Sequence, residues 1–176
     1  MNLQTFETKR LMLRPFSVQD AKRVQELAGA PEVAATTLNI PHPYKDGMAE
    51  NWINQLDFIL AITQIDTRKL IGCINLSLNL HHHKAELGYW IGKFYWNQGY
   101  CTEAAQRMIK FGFKELKLNK ITSRHISSNP ASGKVMKKIG MIEEGFLKQE
   151  LFKNNTFHDL IVFGLLKENY DLEKAS

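Results

Sequence analysis

The sequence predicts a mixed α+β fold, and three segments lead to this prediction. The central segment, 85–128, has the polarity pattern of a strand, a glycine-containing loop, an amphipathic helix and a second strand. A helical crossover of this kind joins two parallel strands with right-handed geometry. The segments on either side, 58–80 and 145–166, each contain two strand patterns separated by a short polar turn, which is typical of antiparallel hairpins.

The length and composition favour one globular domain in a reducing compartment. The chain has 176 residues, of which 44% are hydrophobic and 23% are charged, as in an ordinary globular domain. No apolar run approaches the roughly 20 residues of a membrane span, and the first residues lack the apolar core of a secretory signal. Two cysteines, Cys73 and Cys101, give no disulfide framework. We therefore expect a single domain over residues 1–176 that is cytoplasmic and does not contact a membrane.

The N-terminal quarter is predicted to contain a strand, a helix and an irregular loop. The strand is Thr8–Pro15. Ser17 and Asp20 have the spacing of a capping box, and a helix with one apolar stripe follows them. The stripe consists of Ala21, Val24, Leu27 and Ala28. Pro31 is expected to end this helix. The proline-containing segment 36–45 is expected to be a loop because proline interrupts both helices and central strands.

A second helix and a hairpin are expected next. Asp46 is the expected cap of a helix over Met48–Leu56. The strands Phe58–Ile65 and Leu70–Leu80 are expected to pair across the polar turn between them. Three histidines, His81–His83, come directly afterwards. Adjacent side chains on an extended chain diverge, and no Cys or carboxylate completes a recognisable ligand set, so we predict a polar turn and no metal.

The loop between the central strand and helix has the features of a phosphate-binding turn. The strand Ala85–Ile91 precedes the loop, and the helix is expected to begin near Thr102, whose hydroxyl suits a cap. Gly99 lies within the loop, where glycine permits a close approach of the backbone to a ligand. A turn at a helix N-terminus directs N–H groups and the positive end of the helix dipole at one point. By itself, this pattern also occurs in many ordinary strand-to-helix loops.

The last third of the chain is predicted to contain a strand, a capped helix and the closing hairpin. The strand Lys120–Ser128 leads into Asn129, a natural N-cap, and Pro130, a natural first helical residue. This helix is expected to end near Gly140. The dipeptide Asn154-Asn155 is expected to form the turn between the last two strands.

Four segments resemble the GCN5-related N-acetyltransferase (GNAT) family. The run WNQGYCTEA, Trp96–Ala104, is similar to the family's acyl-CoA-binding motif, in the branch of the ribosomal-protein N-terminal acetyltransferases (RimJ/RimL-type). Gly99 takes the place of the motif's central glycine, whereas Trp96 replaces its Gln or Arg and Cys101 replaces its last small residue. The other segments, in the family's order, are the opening ETKRLMLRPFSVQDA, the stretch Asn129–Met141 and the closing hairpin.

The resemblance implies a fold and an activity. The implied fold is the acyl-CoA N-acyltransferase fold, in which helices flank a central, mostly antiparallel, twisted sheet with one splayed parallel strand pair. The implied activity is transfer of an acetyl group from acetyl-CoA to a primary amine by direct attack on the thioester. The branch points to the N-terminal α-amine of a protein or peptide as acceptor. A small-amine acceptor (polyamine, amino acid or drug) and a catalytically inactive acyl-CoA sensor are the alternatives.

The resemblance also implies candidate site residues. Ser132 is the candidate proton donor to the leaving thiolate, and Asn129 holds the pantetheine end. The first candidate general base, Glu86, is chosen from its position, since it shares a strand face with Gly88 and Trp90. A backbone N–H in the strand near Trp90 or Ile91 is the candidate donor to the developing oxyanion. The expected cofactor contacts are Trp90, Ile91, Gln98, Gly99, Tyr100, Cys101, Thr102, Asn129, Ser132, Lys134 and Lys138. The expected acceptor contacts are His42, Tyr44 and Glu150, and Glu150 is also the second candidate base.

The positive charge is concentrated around the predicted phosphate-binding loop. The chain carries a net charge of +5, and residues 107–138 contain nine Lys and Arg residues against one acid, Glu115. Such a block favours a polyanionic ligand. Because the block flanks the loop, we expect this block to bind the phosphates of coenzyme A rather than a nucleic acid.

Two alternatives about mechanism and assembly remain open. The acyl group could be carried covalently on Cys101, since thiols at helix N-termini can be acidified. The protein could be a homodimer in place of a monomer.

Overall fold

The computed structural model describes residues 4–54 and 58–175, and these form eight strands and six helices. The strands are β1 (Phe6–Glu7), β2 (Leu11–Pro15), β3 (Ile59–Gln64), β4 (Leu70–Asn79), β5 (Lys84–Ile91), β6 (Lys120–Ile126), β7 (Ile142–Lys153) and β8 (Thr156–Leu166). The helices are α1 (Ala21–Ala28), α2 (Pro31–Thr36), α3 (Met48–Ile53), α4 (Tyr100–Lys114), α5 (Pro130–Lys138) and α6 (Lys167–Ala175). None of the helices in these ranges is long and apolar enough to cross a membrane.

The strands form a mixed sheet with the order β1-β2-β3-β4-β5-β6-β8-β7. The pairs β1–β2, β2–β3, β3–β4, β6–β8 and β7–β8 are antiparallel. Strands β5 and β6, which the α4 crossover joins, are parallel. The structure therefore confirms the predicted α+β class, with a mostly antiparallel sheet, one parallel pair and flanking helices.

Residues 4–54, 58–75 and 89–107 form one compact unit. Its helix α1 buries the four residues of the predicted apolar stripe, Ala21, Val24, Leu27 and Ala28, so that prediction is confirmed. These residues pack with Ala49 and Ile53 of α3 and with residues of β3 and β4 in one apolar cluster. Burial of a leucine-sized side chain stabilises a fold by about 1.5–3 kcal/mol, so the stripe holds α1 in place.

Residues 76–88 and 108–175 form a second compact unit. The parallel backbone ladder in this unit joins Lys84–Glu86 to Lys120–Thr122. Beyond it, the Ser123 hydroxyl donates to the Leu87 carbonyl at 2.8 Å, so a side chain continues the connection where the ladder stops. Strand β8 pairs with β6 along the whole length of β6. The core of this unit includes the fully buried Phe113, Ile121 and Phe163.

Both predicted hairpins and the cap of α5 are present. Strands β3 and β4 form the first hairpin, and β7 and β8 form the second. Asn154 and Asn155 lie between β7 and β8 with φ of +51° and +58°, the left-handed conformation that a type I′ hairpin turn requires. The Asn129 side chain accepts a hydrogen bond from the Ser132 N–H, and Pro130 is the first residue of α5.

One prediction about helix boundaries in the N-terminal half is incomplete and another is wrong. Helix α1 ends at Ala28, just before Pro31 as predicted, but Pro31 also begins the unpredicted helix α2, because proline's fixed φ suits the first position of a helix. Asp46 does not cap α3: Gly47 occupies the N-cap position, and the Asp46 carboxylate accepts a hydrogen bond from Gln25 Nε2 at 2.7 Å. Leu56, the predicted end of α3, lies outside the described residues.

The central helix also begins earlier than predicted. Helix α4 starts at Tyr100, so Thr102 lies inside its first turn and is not its cap. Helix α6 was not predicted from the sequence. The histidines His81 and His82 lie in a short 3₁₀ turn, Leu80–His82, as the predicted polar turn requires.

Candidate functional site

The loop that leads into α4 is held against the end of β5. The Gly92 N–H donates to the Ile71 carbonyl of β4 at 2.8 Å. The Trp96 indole N–H donates to the Ile91 carbonyl at 2.6 Å. Trp96, which replaces the motif's Gln or Arg, therefore ties the loop to the last residue of β5, and the Trp90 side chain packs on the apolar cluster of the first unit.

Gly99 occupies the turn between this loop and α4. Its φ of +79° lies in the left-handed region, where a residue with a Cβ is strained. The Gly99 carbonyl accepts a hydrogen bond from the Glu103 N–H, which closes the first turn of α4. The first N–H groups of a helix have no partner within the helix and carry partial positive charge. The turn therefore presents a backbone surface suited to an anionic group such as a phosphate.

The turn is also fixed by residues from the start of the chain, a feature that the sequence did not indicate. The Glu103 carboxylate accepts three hydrogen bonds, from the Thr8 hydroxyl at 2.7 Å, the Arg10 N–H at 2.8 Å and Arg10 Nε at 2.7 Å. Arg10 Nη1 donates to the Gln98 carbonyl at 3.0 Å. The Arg10 guanidinium also lies 4.5 Å from the centre of the Tyr100 ring.

The Glu103 carboxylate is held in its ionised form by these contacts. Burial alone raises the pKa of a carboxyl group, but the hydrogen bonds from Thr8 and Arg10 outweigh that effect and lower the pKa of Glu103 below its ordinary value. The pair is therefore charged at neutral pH, and its contribution to stability is lost when the pH falls through this lowered pKa.

Tyr100 and Cys101 begin helix α4 in different surroundings. The Tyr100 hydroxyl accepts a hydrogen bond from Gln64 Nε2 of β3 at 3.0 Å. Cys101 is partly buried, and burial raises the pKa of its thiol far above the ordinary value. The thiol is therefore protonated at neutral pH, although its position at a helix N-terminus suggested an acidified group. This finding disfavours the covalent route through Cys101.

We expect Cys101→Ser to retain cofactor binding and turnover within about twofold, because the thiol is not a thiolate nucleophile. Steady-state kinetics on the purified variant, with its melting temperature as a folding control, measure this. A loss of turnover beyond about a hundredfold in a folded variant would restore the covalent route.

The candidate residues Asn129 and Ser132 lie in the second unit, at the N-terminus of α5. The Asn129 side chain accepts a hydrogen bond from the Ser132 N–H at 3.3 Å. Capping of α5 therefore explains this contact of Asn129 without a cofactor. The helix packs closely on β6: a Cβ added to Gly133 would approach Nε2 of the buried His125 to 2.8 Å. Lys134 and Lys138 are exposed along the same helix.

The two candidate bases also lie in the second unit. The Glu86 carboxylate accepts a hydrogen bond from Arg124 Nε of β6 at 2.9 Å. Glu150 is exposed in a bulge of β7, where three residues, 148–150, lie opposite Asp159 of β8. In that bulge the Gln149 N–H donates to the Asp159 carboxylate at 2.7 Å. Neither carboxylate has a tested catalytic role, so both stay predictions.

The candidate acceptor contacts of the first unit differ in burial. Tyr44 is partly buried against the apolar cluster of α1 and α3, and its pKa is raised by burial and by the negative charge of Glu50. His42 is exposed. Among the residues that the structure describes, no group of three His, Cys, Asp or Glu side chains lies close enough to hold a metal ion.

Comparison with known proteins places this geometry in a family. Residues 10–142 match the family model of the "Acetyltransferase (GNAT) domain". A solved structure of a GNAT-family acetyltransferase from Bacillus anthracis superimposes with a TM-score of 0.86 at 29% identity, over 94% of this chain and 99% of that chain. The chain therefore belongs to the GNAT acetyltransferase family, whose members use acetyl-CoA.

Two relatives have names that mention an acceptor. YdaF of Bacillus subtilis, provisionally named a ribosomal N-acetyltransferase, is 30% identical over 94% of this chain and 96% of its own length. A spermidine N(1)-acetyltransferase from Vibrio cholerae is 28% identical over 58% of this chain and 60% of its own length. The chain is thus an acetyl-transferring acyltransferase whose relatives include proteins named for different acceptors.

Proposed function

We propose that the protein transfers an acetyl group from acetyl-CoA to a primary amine by direct attack of the amine on the thioester. The observation that carries the proposal is the turn at Gly99, with its φ of +79°, at the N-terminus of α4. This turn fits the coenzyme A pyrophosphate because backbone N–H groups at a helix N-terminus bind phosphate and Gly99 adds no side chain of its own. Acetyl-CoA supplies the activated acyl group.

The acceptor amine must be neutral to attack. A lysine amine has a pKa near 10.4, whereas an α-amine has a pKa near 7.7–8.0, so an α-amine needs less help from a base. Arg124 holds the Glu86 carboxylate at 2.9 Å, and Glu86 would have to give up or share that hydrogen bond to take a proton. This arrangement favours an acceptor that needs little base assistance.

We therefore infer an N-terminal α-amine of a protein or peptide as the acceptor, and the name of the relative YdaF, provisionally a ribosomal N-acetyltransferase, supports a protein acceptor. A small polyamine is the second candidate because a spermidine acetyltransferase is also a relative. In either case Ser132 gives a proton to the leaving thiolate, Asn129 holds the pantetheine end, and a backbone N–H near Trp90 or Ile91 stabilises the developing negative charge. We propose that residues 1–176 act as one such domain in the cytoplasm, as a monomer or homodimer.

A calorimetric titration with acetyl-CoA followed by a thiol-release assay tests the proposal. We expect acetyl-CoA to bind with a dissociation constant in the range of about 1 μM–1 mM, and dephospho-CoA to bind more weakly if the basic block contacts the 3′-phosphate. We expect peptides with free N-termini to release thiol, and N-terminally blocked peptides not to. Faster release with spermidine would select the second candidate. Binding without transfer to any amine would indicate an acyl-CoA sensor, and absence of binding would overturn the proposal.

A further inference from the structure

Arg10 contacts both residues that flank Gly99, although it lies 88 residues before Gln98 in the chain. Its Nη1 donates to the carbonyl before the glycine, that of Gln98, and its guanidinium lies over the ring after the glycine, that of Tyr100. A planar guanidinium can make such contacts at once because its donors point in fixed, divergent directions. The Arg10 side chain thus spans the turn.

Glu103 fixes the position of Arg10. The carboxylate accepts from both the backbone N–H and Nε of Arg10, and Thr8 adds a third hydrogen bond. Since Glu103 lies in the first turn of α4, it connects the beginning of the helix to the turn between β1 and β2. Arg10, Glu103 and the residues 98–100 therefore form one connected network within the first unit.

The ion pair between Arg10 and Glu103 is too exposed to contribute much to the free energy of unfolding of the whole protein. The Arg10 side chain is 42% exposed, and that of Glu103 is 17% exposed. Ion pairs with a partner this accessible contribute little to stability, since solvent screens the charges. Their main effect is local: they restrict the backbone next to Gly99.

We propose that Arg10 is a positioning residue for the cofactor, which holds the turn 98–100 in the conformation that directs its N–H groups at the coenzyme A pyrophosphate. This inference rests on the proposed function. It assigns Arg10 no contact with the reacting atoms. The positive charge of Arg10 is balanced by Glu103, so its effect depends on the geometry of the guanidinium and not on net charge alone.

Three variants test the inference by calorimetry with acetyl-CoA. We expect Arg10→Gln to weaken acetyl-CoA binding about fivefold, because the turn samples other conformations when its hydrogen bond to Arg10 is lost. Arg10→Lys keeps the positive charge but not the planar fork of donors. We therefore expect it to recover less than about half of the binding free energy that Arg10→Gln loses. We expect Arg10→Gln to raise the KM for acetyl-CoA while kcat at saturating cofactor stays within about twofold.

The matched control is Arg14→Gln. Arg14 lies four residues further along the same segment and makes a bidentate ion pair with Asp20, at 2.7 and 2.8 Å. This variant also removes a partly exposed guanidinium and its ion pair with a carboxylate, but it removes no contact with the turn 98–100. We expect its melting temperature to fall at least as much as that of Arg10→Gln while acetyl-CoA binding is unchanged.

The outcomes separate this inference from the proposed function. If the unmodified protein does not bind acetyl-CoA, the proposed function fails and this inference fails with it. If the unmodified protein binds and a folded Arg10→Gln binds equally well, the inference alone is overturned. Full restoration by Arg10→Lys, or equal weakening by Arg14→Gln, would likewise contradict positioning by the guanidinium fork.

Discussion

Replacing Gly99 by valine is expected to weaken acetyl-CoA binding by at least about a hundredfold, or about 2.7 kcal/mol. Gly99 has a φ of +79°, which a β-branched residue adopts only with strain, so the turn must change its conformation. That change removes the N–H groups from the proposed phosphate position, and each hydrogen bond to a charged group contributes about 1.5–3 kcal/mol. Calorimetric titration of the folded variant measures the loss.

Gly47→Val is the control for backbone strain. Gly47 has the same φ of +79°, and a Cβ added there would meet no atom within 4 Å. Both variants therefore introduce comparable strain, and both should lower the melting temperature. We expect Gly47→Val to keep its affinity for acetyl-CoA. Equal affinities of the two variants would mean that the Gly99 turn does not bind the cofactor.

Replacing Ser132 by alanine is expected to lower turnover by at least about tenfold, because one general acid typically contributes about 10²–10⁴-fold. Ser132 lies in the first turn of α5, where its N–H donates to the Asn129 side chain. The alanine variant keeps that N–H and therefore keeps the cap of the helix. We expect kcat to fall while acetyl-CoA binding stays near that of the unmodified protein, because the hydroxyl acts on the leaving thiolate.

Ser128→Ala is the matched control, since Ser128 is an exposed serine just before α5. Its kcat should be unchanged. Unchanged turnover of Ser132→Ala at saturating cofactor and acceptor would remove the proton-donor role. A parallel loss of melting temperature and cofactor affinity would instead indicate that the hydroxyl supports the helix.

The elements of the fold that depend on local signals were predictable from the sequence. The stripe of α1, the Asn129 cap, the turn at Asn154-Asn155 and the β5–α4–β6 crossover all follow from residues close together in the chain. Helix boundaries were less predictable because one residue type can serve two purposes. Pro31 could end one helix or begin the next, and Asp46 could cap α3 or bind Gln25.

The candidate site was predictable only in part, because several of its features depend on distant contacts. The turn at Gly99 has a local motif, but the Arg10–Glu103 pair joins residues 93 positions apart and leaves no periodic signal. The partner of Glu86 on the neighbouring strand is likewise absent from any local pattern. For Cys101, the local position suggested an acidic thiol, whereas burial, which is a tertiary property, raises its pKa.

The bulge in β7 has a consequence for self-association. Strand β7 is the last strand in the sheet order, and it is long and carries exposed apolar side chains at Phe146 and Phe152. A long, flat edge of this kind would template strand addition by another chain and lead to aggregation. In the bulge over residues 148–150, Gln149 has a φ of +51° and its N–H donates to the Asp159 carboxylate. A second register shift lies between Glu143 and Gly145, so the paired length of β7 is divided into three short stretches. Interruptions of this kind disfavour the addition of a further strand along the edge.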